Sequence, residues 1–176
     1  MKRERWTVIA DRLPKDRNIV GAEIGVYRGK LAYNLLKLLP KLTLHMVDRW
    51  SVYTEGEQNG DISKHMTMLD AEQWPQIEAA AVAVARKFRP RVVIHKGCSR
   101  EVAKEFADHS LDFVFIDADH SYDGCKADIL AWTPKVRPGG WVMGHDYPMR
   151  DGVRRAVDEL FDDVAPLQSR CFAVQV

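Results

Sequence analysis

Cysteine is scarce in this chain and shows no pairing pattern: Cys98, Cys125 and Cys171 are odd in number and far apart, and no CxxC spacing occurs. That excludes a zinc knuckle or a dithiol redox motif and predicts reduced, mostly buried thiols. An excess of one charge is also lacking. Lys plus Arg number 26 against 25 Asp plus Glu, so no net field draws the chain to nucleic acid or an anionic membrane, and the expected partner is a small molecule. Long hydrophobic runs are missing. Near the start the apolar stretch Val8-Ile9-Ala10 is cut off by Asp11, far short of a signal-peptide core or a membrane span, which predicts a cytoplasmic protein. There is no internal repeat, and 176 residues suit a single domain with one active site.

What is present is an alternation of short β-branched runs with stretches of helical period, the pattern of βαβ units. Strands are predicted at Ile19–Ile24, Leu42–Asp48, Arg91–Lys96, Asp112–Asp117 and Trp141–Gly144. Helices are predicted from Leu31 to Leu39, stopped by Pro40, from Ile77 to Phe88, from Tyr122 to Trp132 and from Asp151 to Phe161. Val164–Leu167 and Cys171–Val176 read as a terminal antiparallel hairpin. The expected fold is therefore α/β, a Rossmann-like three-layer sandwich on a mostly parallel seven-stranded sheet. Ser51–Trp74 is too long for a βα connector and is a candidate lid or specificity segment.

The first strand runs Glu23-Ile24-Gly25-Val26-Tyr27-Arg28-Gly29 directly into a helix. Gly25 permits a tight turn beside a ligand and Gly29 a close approach at the helix start. Glu23 can accept hydrogen bonds from a cationic amino group. Asp48, at the tip of the second strand, is placed to bind both hydroxyls of a ribose. The spacing acid-x-Gly-x-x-x-Gly differs from the Gly-x-Gly-x-x-Gly of dinucleotide enzymes, and with Glu23 facing the ligand a cationic cofactor is preferred. The segment resembles motif I of class I methyltransferases that depend on S-adenosylmethionine (SAM), and the resemblance extends over nearly the whole chain. It implies SAM as cofactor, with Tyr27 and Arg49 joining the set around it. Gly97-Cys98-Ser99 resembles the segment that borders adenine in these enzymes, although Ser99 reads equally as an N-cap. Trp50 is either a cover for the adenine ring or plain packing.

The fourth strand breaks into Asp117-Ala118-Asp119-His120-Ser121-Tyr122-Asp123-Gly124, and the fifth, following the tight turn Arg137-Pro138-Gly139-Gly140, ends in Gly144-His145-Asp146-Tyr147. Adjacent strand tips of an open sheet meet at the ligand crevice, so Asp117, His120, His145 and Asp146 should converge. IDADHSYDG, then PGG and HD, looks like the methyltransferase group containing macrocin-type sugar O-methyltransferases and cephalosporin-hydroxylase-associated proteins, with catechol O-methyltransferases as more distant cousins. Those relatives imply a divalent metal, magnesium or manganese, on Asp117 and Asp146 with His145 in the remaining slot, and Asp117 bordering the cofactor as well. Imidazole suits softer ions than magnesium, so His145 reads alternatively as a base or as an orienting group. His120 sits where catechol-type enzymes carry their Lys base, and an imidazole pKa near ~6.5 suits proton removal at neutral pH; a loop-bracing role is its alternative. The resulting expectation is O-methylation of a small-molecule hydroxyl by a monomer or small homo-oligomer. A metal-independent methyltransferase, a SAM-binding partner without catalysis and a metal-dependent hydrolase are the competing readings.

Overall fold

In the computed structural model, which describes residues 3–52 and 71–176, seven strands form one sheet. In chain order the elements are α1 (Arg5–Ala10), β1 (Ile19–Ile24), α2 (Lys30–Leu38), β2 (Leu42–Asp48), α3 (Trp74–Lys87), β3 (Val92–Lys96), α4 (Ser99–Ala103), β4 (Leu111–Ile116), α5 (Tyr122–Trp132), β5 (Val136–Gly144), α6 (Asp151–Leu160), β6 (Ala165–Leu167) and β7 (Cys171–Gln175). The sheet order is β3-β2-β1-β4-β5-β7-β6. The first five strands are parallel and β7 runs antiparallel between β5 and β6. This is the predicted Rossmann-like architecture. The order reverses at β1 and β4, and open parallel sheets bind ligands at such a switch point.

Every residue of β4 is buried, as befits a central strand covered on both faces. On one face Leu31, Ala32, Leu35 and Leu36 of α2 pack with Ile77 and Ala81 of α3 and with Ile9 of α1. On the other, Ile129 and Trp132 of α5 meet Val153, Ala156 and Val157 of α6. Two separate apolar clusters flank the sheet, which makes three layers. Cys125 and Cys171 are buried, and burial pushes both thiols up to about 12, whereas Cys98 is exposed.

Three local expectations change. The chain forms a short helix, α1, ahead of β1, where only the absence of a targeting segment was read. Arg137-Pro138-Gly139-Gly140, expected as a tight turn before the fifth strand, lies inside β5 as an irregularity: Leu111 pairs with Val136 and Phe113 with Trp141. Asp112 sits opposite that bulge and holds it. One of its oxygens takes Arg137 Nε at 2.6 Å and Arg17 at 2.8 Å, and the other takes the Val20 amide at 2.7 Å. Ser99, read as an N-cap, is instead the first residue of α4, with Cys98 at the cap position. Of the candidate lid, residues 53–70 lie outside the described residues. No helix among the described residues is long and apolar enough to cross a membrane.

Candidate active site

The tips of β1, β2, β3, β4 and β5 surround a cavity of about 720 Å³. Glu23, Gly25, Tyr27, Asp48, Arg49, Cys98, Ser99, Asp117, His120, His145 and Asp146 all line it, so the residues expected to bind cofactor or metal or to catalyse converge there with one exception. Gly29 does not line the cavity. Its backbone is left-handed at φ 75°, and a Cβ there would press on Val84 and on the backbone of Ala81, so this glycine lets α3 pack against the start of α2.

Glu23 occupies the floor. It is 2 % exposed, and among the described residues its buried Oε2 has no hydrogen-bond partner. Burial pushes its carboxyl well above the usual range, reinforced by the charges of Asp117 and Asp48; Arg5 and the Ala32 amide act the other way. A buried, unpartnered carboxylate oxygen facing a cavity is costly unless a ligand donates to it.

Asp48 is more occupied than its position at the strand tip suggested. Its Oδ2 accepts the backbone N–H groups of Val26 at 2.9 Å and Tyr27 at 2.8 Å, and its Oδ1 accepts that of Trp50 at 2.8 Å. Asp48 therefore fixes the loop after β1, and Oδ1 keeps lone-pair capacity for a ligand. Trp50 does not cover the cavity: it is 3 % exposed and donates from Nε1 to the Tyr27 carbonyl at 2.9 Å. Tyr27, Trp50 and Asp146 each carry a non-glycine positive φ, at 54°, 43° and 60°. Three of the six non-glycine residues with positive φ among the described residues thus stand at strand tips around one pocket, where local strain can hold a site in shape.

At the other wall Ser99 accepts from Trp132 Nε1 at 2.8 Å and bonds the carboxyl of Asp128, a cavity residue that the sequence did not mark. Burial holds Asp128 at about 6, above its ordinary value of 3.8, against that hydrogen bond and the charge of Arg100. A carboxyl whose folded pKa is raised favours the folded state while neutral, and this contribution fades as pH rises through about 6. Asp128→Asn is therefore expected to be more stable than wild type by ~1–2 kcal/mol at pH 8, with the advantage gone near pH 4, as read from urea unfolding at both pH values.

The acid and imidazole cluster lies where β4 and β5 end. His120 Nε2 is 3.4 Å from Asp117 Oδ1 and 3.4 Å from Asp146 Oδ2. His145 Nδ1 is 3.5 Å from Asp117 Oδ1 and 3.2 Å from Asp146 Oδ1. Asp117 Oδ2 is taken by Arg5 at 2.5 Å. Burial works to raise the Asp117 carboxyl, but hydrogen bonds from both histidines and the Arg5 charge outweigh it and hold the group well below the ordinary range. Burial works against a charged His145, yet its bonds to Asp117 and Asp146 raise its pKa to about 9, so it is an imidazolium at neutral pH. Asp117, His120 and Asp146 each offer an atom within 4.8 Å of the others, a spread that suits one metal ion. Asp119 braces the loop by accepting the Ser121 amide at 2.8 Å. Tyr122 packs in the second apolar cluster and lies outside the cavity lining.

Arg5 is the functional candidate that sequence reading missed. It comes from α1, 112 residues before its partner, and nothing local in the sequence reports so distant a contact.

A seven-stranded Rossmann-like sheet with an antiparallel β7 and a pocket at its switch point defines the class I methyltransferase fold. The family model described as "Methyltransferase domain" matches residues 22–147, and the chain belongs to that family. Among solved structures it is similar to the O-methyltransferase NovP (TM-score 0.61, 21% identity, 96% of this chain and 74% of that one). It is also similar to CalS11, a calicheamicin methyltransferase (TM-score 0.66, 16% identity, 97% and 75%). Identities this low carry the fold alone. A curated relative, the uncharacterized protein y4gI of Sinorhizobium fredii, is 35% identical over 51 residues, 29% of this chain and 6% of that protein. The match thus spans a small fraction of the relative's length.

Proposed function

We propose that the chain transfers a methyl group from SAM to a hydroxyl of a small molecule, with a divalent cation held by Asp117, His120 and Asp146. The observation that carries the cofactor half is Glu23: a buried carboxylate oxygen without a partner, on the floor of a large cavity, matches a cationic amino group. Asp48 Oδ1 would take a ribose hydroxyl, while Cys98 and Ser99 border the base. Gly25, Tyr27 and Arg49 complete that wall. Bound SAM supplies a sulfonium methyl group open to in-line attack by an oxygen nucleophile.

The donor set at the other end fits a cation, since two carboxylates and an imidazole converge within reach of one ion. Two hard oxygens with one nitrogen suit manganese better than magnesium. A cation there would lower the pKa of an acceptor hydroxyl. His145 stays in the second layer in this reading: as an imidazolium it orients both carboxylates rather than removing a proton. A metal-free reading is favoured by one observation, the Arg5 guanidinium already seated on Asp117. In that case His120, between Asp117 and Asp146, is the group placed to accept the hydroxyl proton. Residues 51–74 would then select the acceptor, within a single domain.

Isothermal titration with S-adenosylhomocysteine tests the cofactor reading. Wild type is expected to bind, and Asp48→Ala to bind at least ~10-fold more weakly, because it loses a ribose acceptor and the brace of the loop together. Equal affinities in the two proteins would overturn the site. Methyl transfer from labelled SAM to a panel of sugar and phenolic hydroxyls, with and without EDTA, separates the two uses of the cluster. Loss of transfer in EDTA and recovery with manganese supports the cation; transfer indifferent to EDTA supports His120 as base.

A further inference from the structure

The mechanism above uses the acids of the pocket and leaves Arg5 without a task beyond its ion pair. Several cations line the cavity, and most are engaged away from Glu23. Lys30 Nζ lies over the Trp6 ring at 5.4 Å, Arg28 over the Tyr27 ring at 5.6 Å, and Arg49 Nε donates to Ser51 at 2.9 Å. Arg100 lies by Asp128 at the opposite wall. The Arg5 charge acts on Glu23, and its guanidinium touches Asp117 directly.

The strand register explains this. Glu23 pairs with Phe115 and Ile24 with Ile116, so Asp117 stands at the next level, beside Gly25. Side chains two residues apart along a strand point to the same face. Glu23 and Asp117 therefore project into the same part of the cavity from neighbouring strands, and a guanidinium on Asp117 hangs next to the space above Glu23. The pocket thus offers an unsatisfied buried acceptor on one strand and, on the aspartate at the tip of its neighbour, a cation. An α-amino acid carries the complementary pair, an ammonium and a carboxylate on one carbon. An Arg–carboxylate pair with a ligand would match the one that Arg5 makes with Asp117, and Asp117 keeps His120 and His145 as partners when Arg5 leaves.

We infer that Arg5 and Glu23 together form a receptor for an α-amino-acid zwitterion, Glu23 taking the ammonium and Arg5 moving from Asp117 to the carboxylate of the cofactor's methionyl arm. The inference rests on the SAM reading and extends it to α1. It also orders events: the arriving carboxylate draws Arg5 away and leaves Asp117 open to the acceptor or its cation.

The test is a set of calorimetric titrations with S-adenosylhomocysteine and with its decarboxylated counterpart, which keeps the amine and lacks the carboxylate. Wild type is expected to prefer the former by about 10-fold or more. Arg5→Met is expected to lose affinity for S-adenosylhomocysteine by a similar factor and to bind the decarboxylated compound as wild type does. That second affinity shows that the fold and the Glu23 floor survive. Arg5→Lys should restore part of the preference. If Arg5→Met keeps the full preference, the carboxylate is read elsewhere and this inference falls while SAM binding stands. If wild type binds neither compound, the SAM reading itself falls.

Discussion

Gly25→Ala is expected to abolish cofactor binding, with S-adenosylhomocysteine affinity reduced by roughly 30-fold or more in calorimetry. Two independent effects converge on this position. The backbone is left-handed at φ 86°, which costs an L side chain on the order of 1–2 kcal/mol. A Cβ would also lie 2.2 Å from the Asp117 carbonyl oxygen and 2.6 Å from its carbonyl carbon, and both are backbone atoms that cannot rotate away. The tips of β1 and β4 must separate to admit it, at a further ~1–3 kcal/mol of overpacking. That separation moves Glu23 and Asp117 relative to each other. Gly25 therefore sets the distance between the cofactor floor and the acid cluster, a tighter role than lying beside a ligand. Undiminished affinity in a folded Gly25→Ala protein would remove the loop after β1 from the cofactor site.

Asp117→Asn is expected to lose methyl transfer by a factor of about 10²–10⁴ while remaining folded. The carboxylate serves three partners, Arg5, His120 and His145, and an amide offers one acceptor oxygen and no charge. The His145 imidazolium loses one of the two carboxylates that sustain it. Its midpoint should fall from about 9 toward the ordinary 6.5 in an NMR titration. The sign follows from the cause, since removing an anion leaves burial to favour the neutral ring. An unmoved His145 midpoint would mean that Asp146 alone holds the proton. Retained transfer would assign the chemistry to other residues.

Much of the sheet was legible in the sequence because buried parallel strands are written as continuous apolar runs that end in polar residues. Phe113-Val114-Phe115-Ile116-Asp117 is an example, and its tip is where the cluster formed. Gly25, Glu23 and Asp48 were legible for the same reason, their spacing being imposed by a strand, a turn and a helix. Three features were not. Helix α1 spans six residues and has no side-chain cap, so nothing local announced it. The Pro-Gly-Gly of β5 carries a turn signal that the neighbouring strands overrode, placing a bulge where a turn was expected. The division of labour between His120 and His145 depends on which carboxylate oxygens each one reaches, and spacing along a chain holds no such information.

Helix α1 lies before residues 22–147, the stretch that defines family membership. Glu23 falls inside that stretch and Arg5 before it. Ile9 of α1 is buried in the same core as α2 and α3, so the helix that carries Arg5 is seated by the sheet's own packing. A substitution that loosens Ile9 would therefore reach the acid cluster without touching it, by shifting the guanidinium that sits on Asp117.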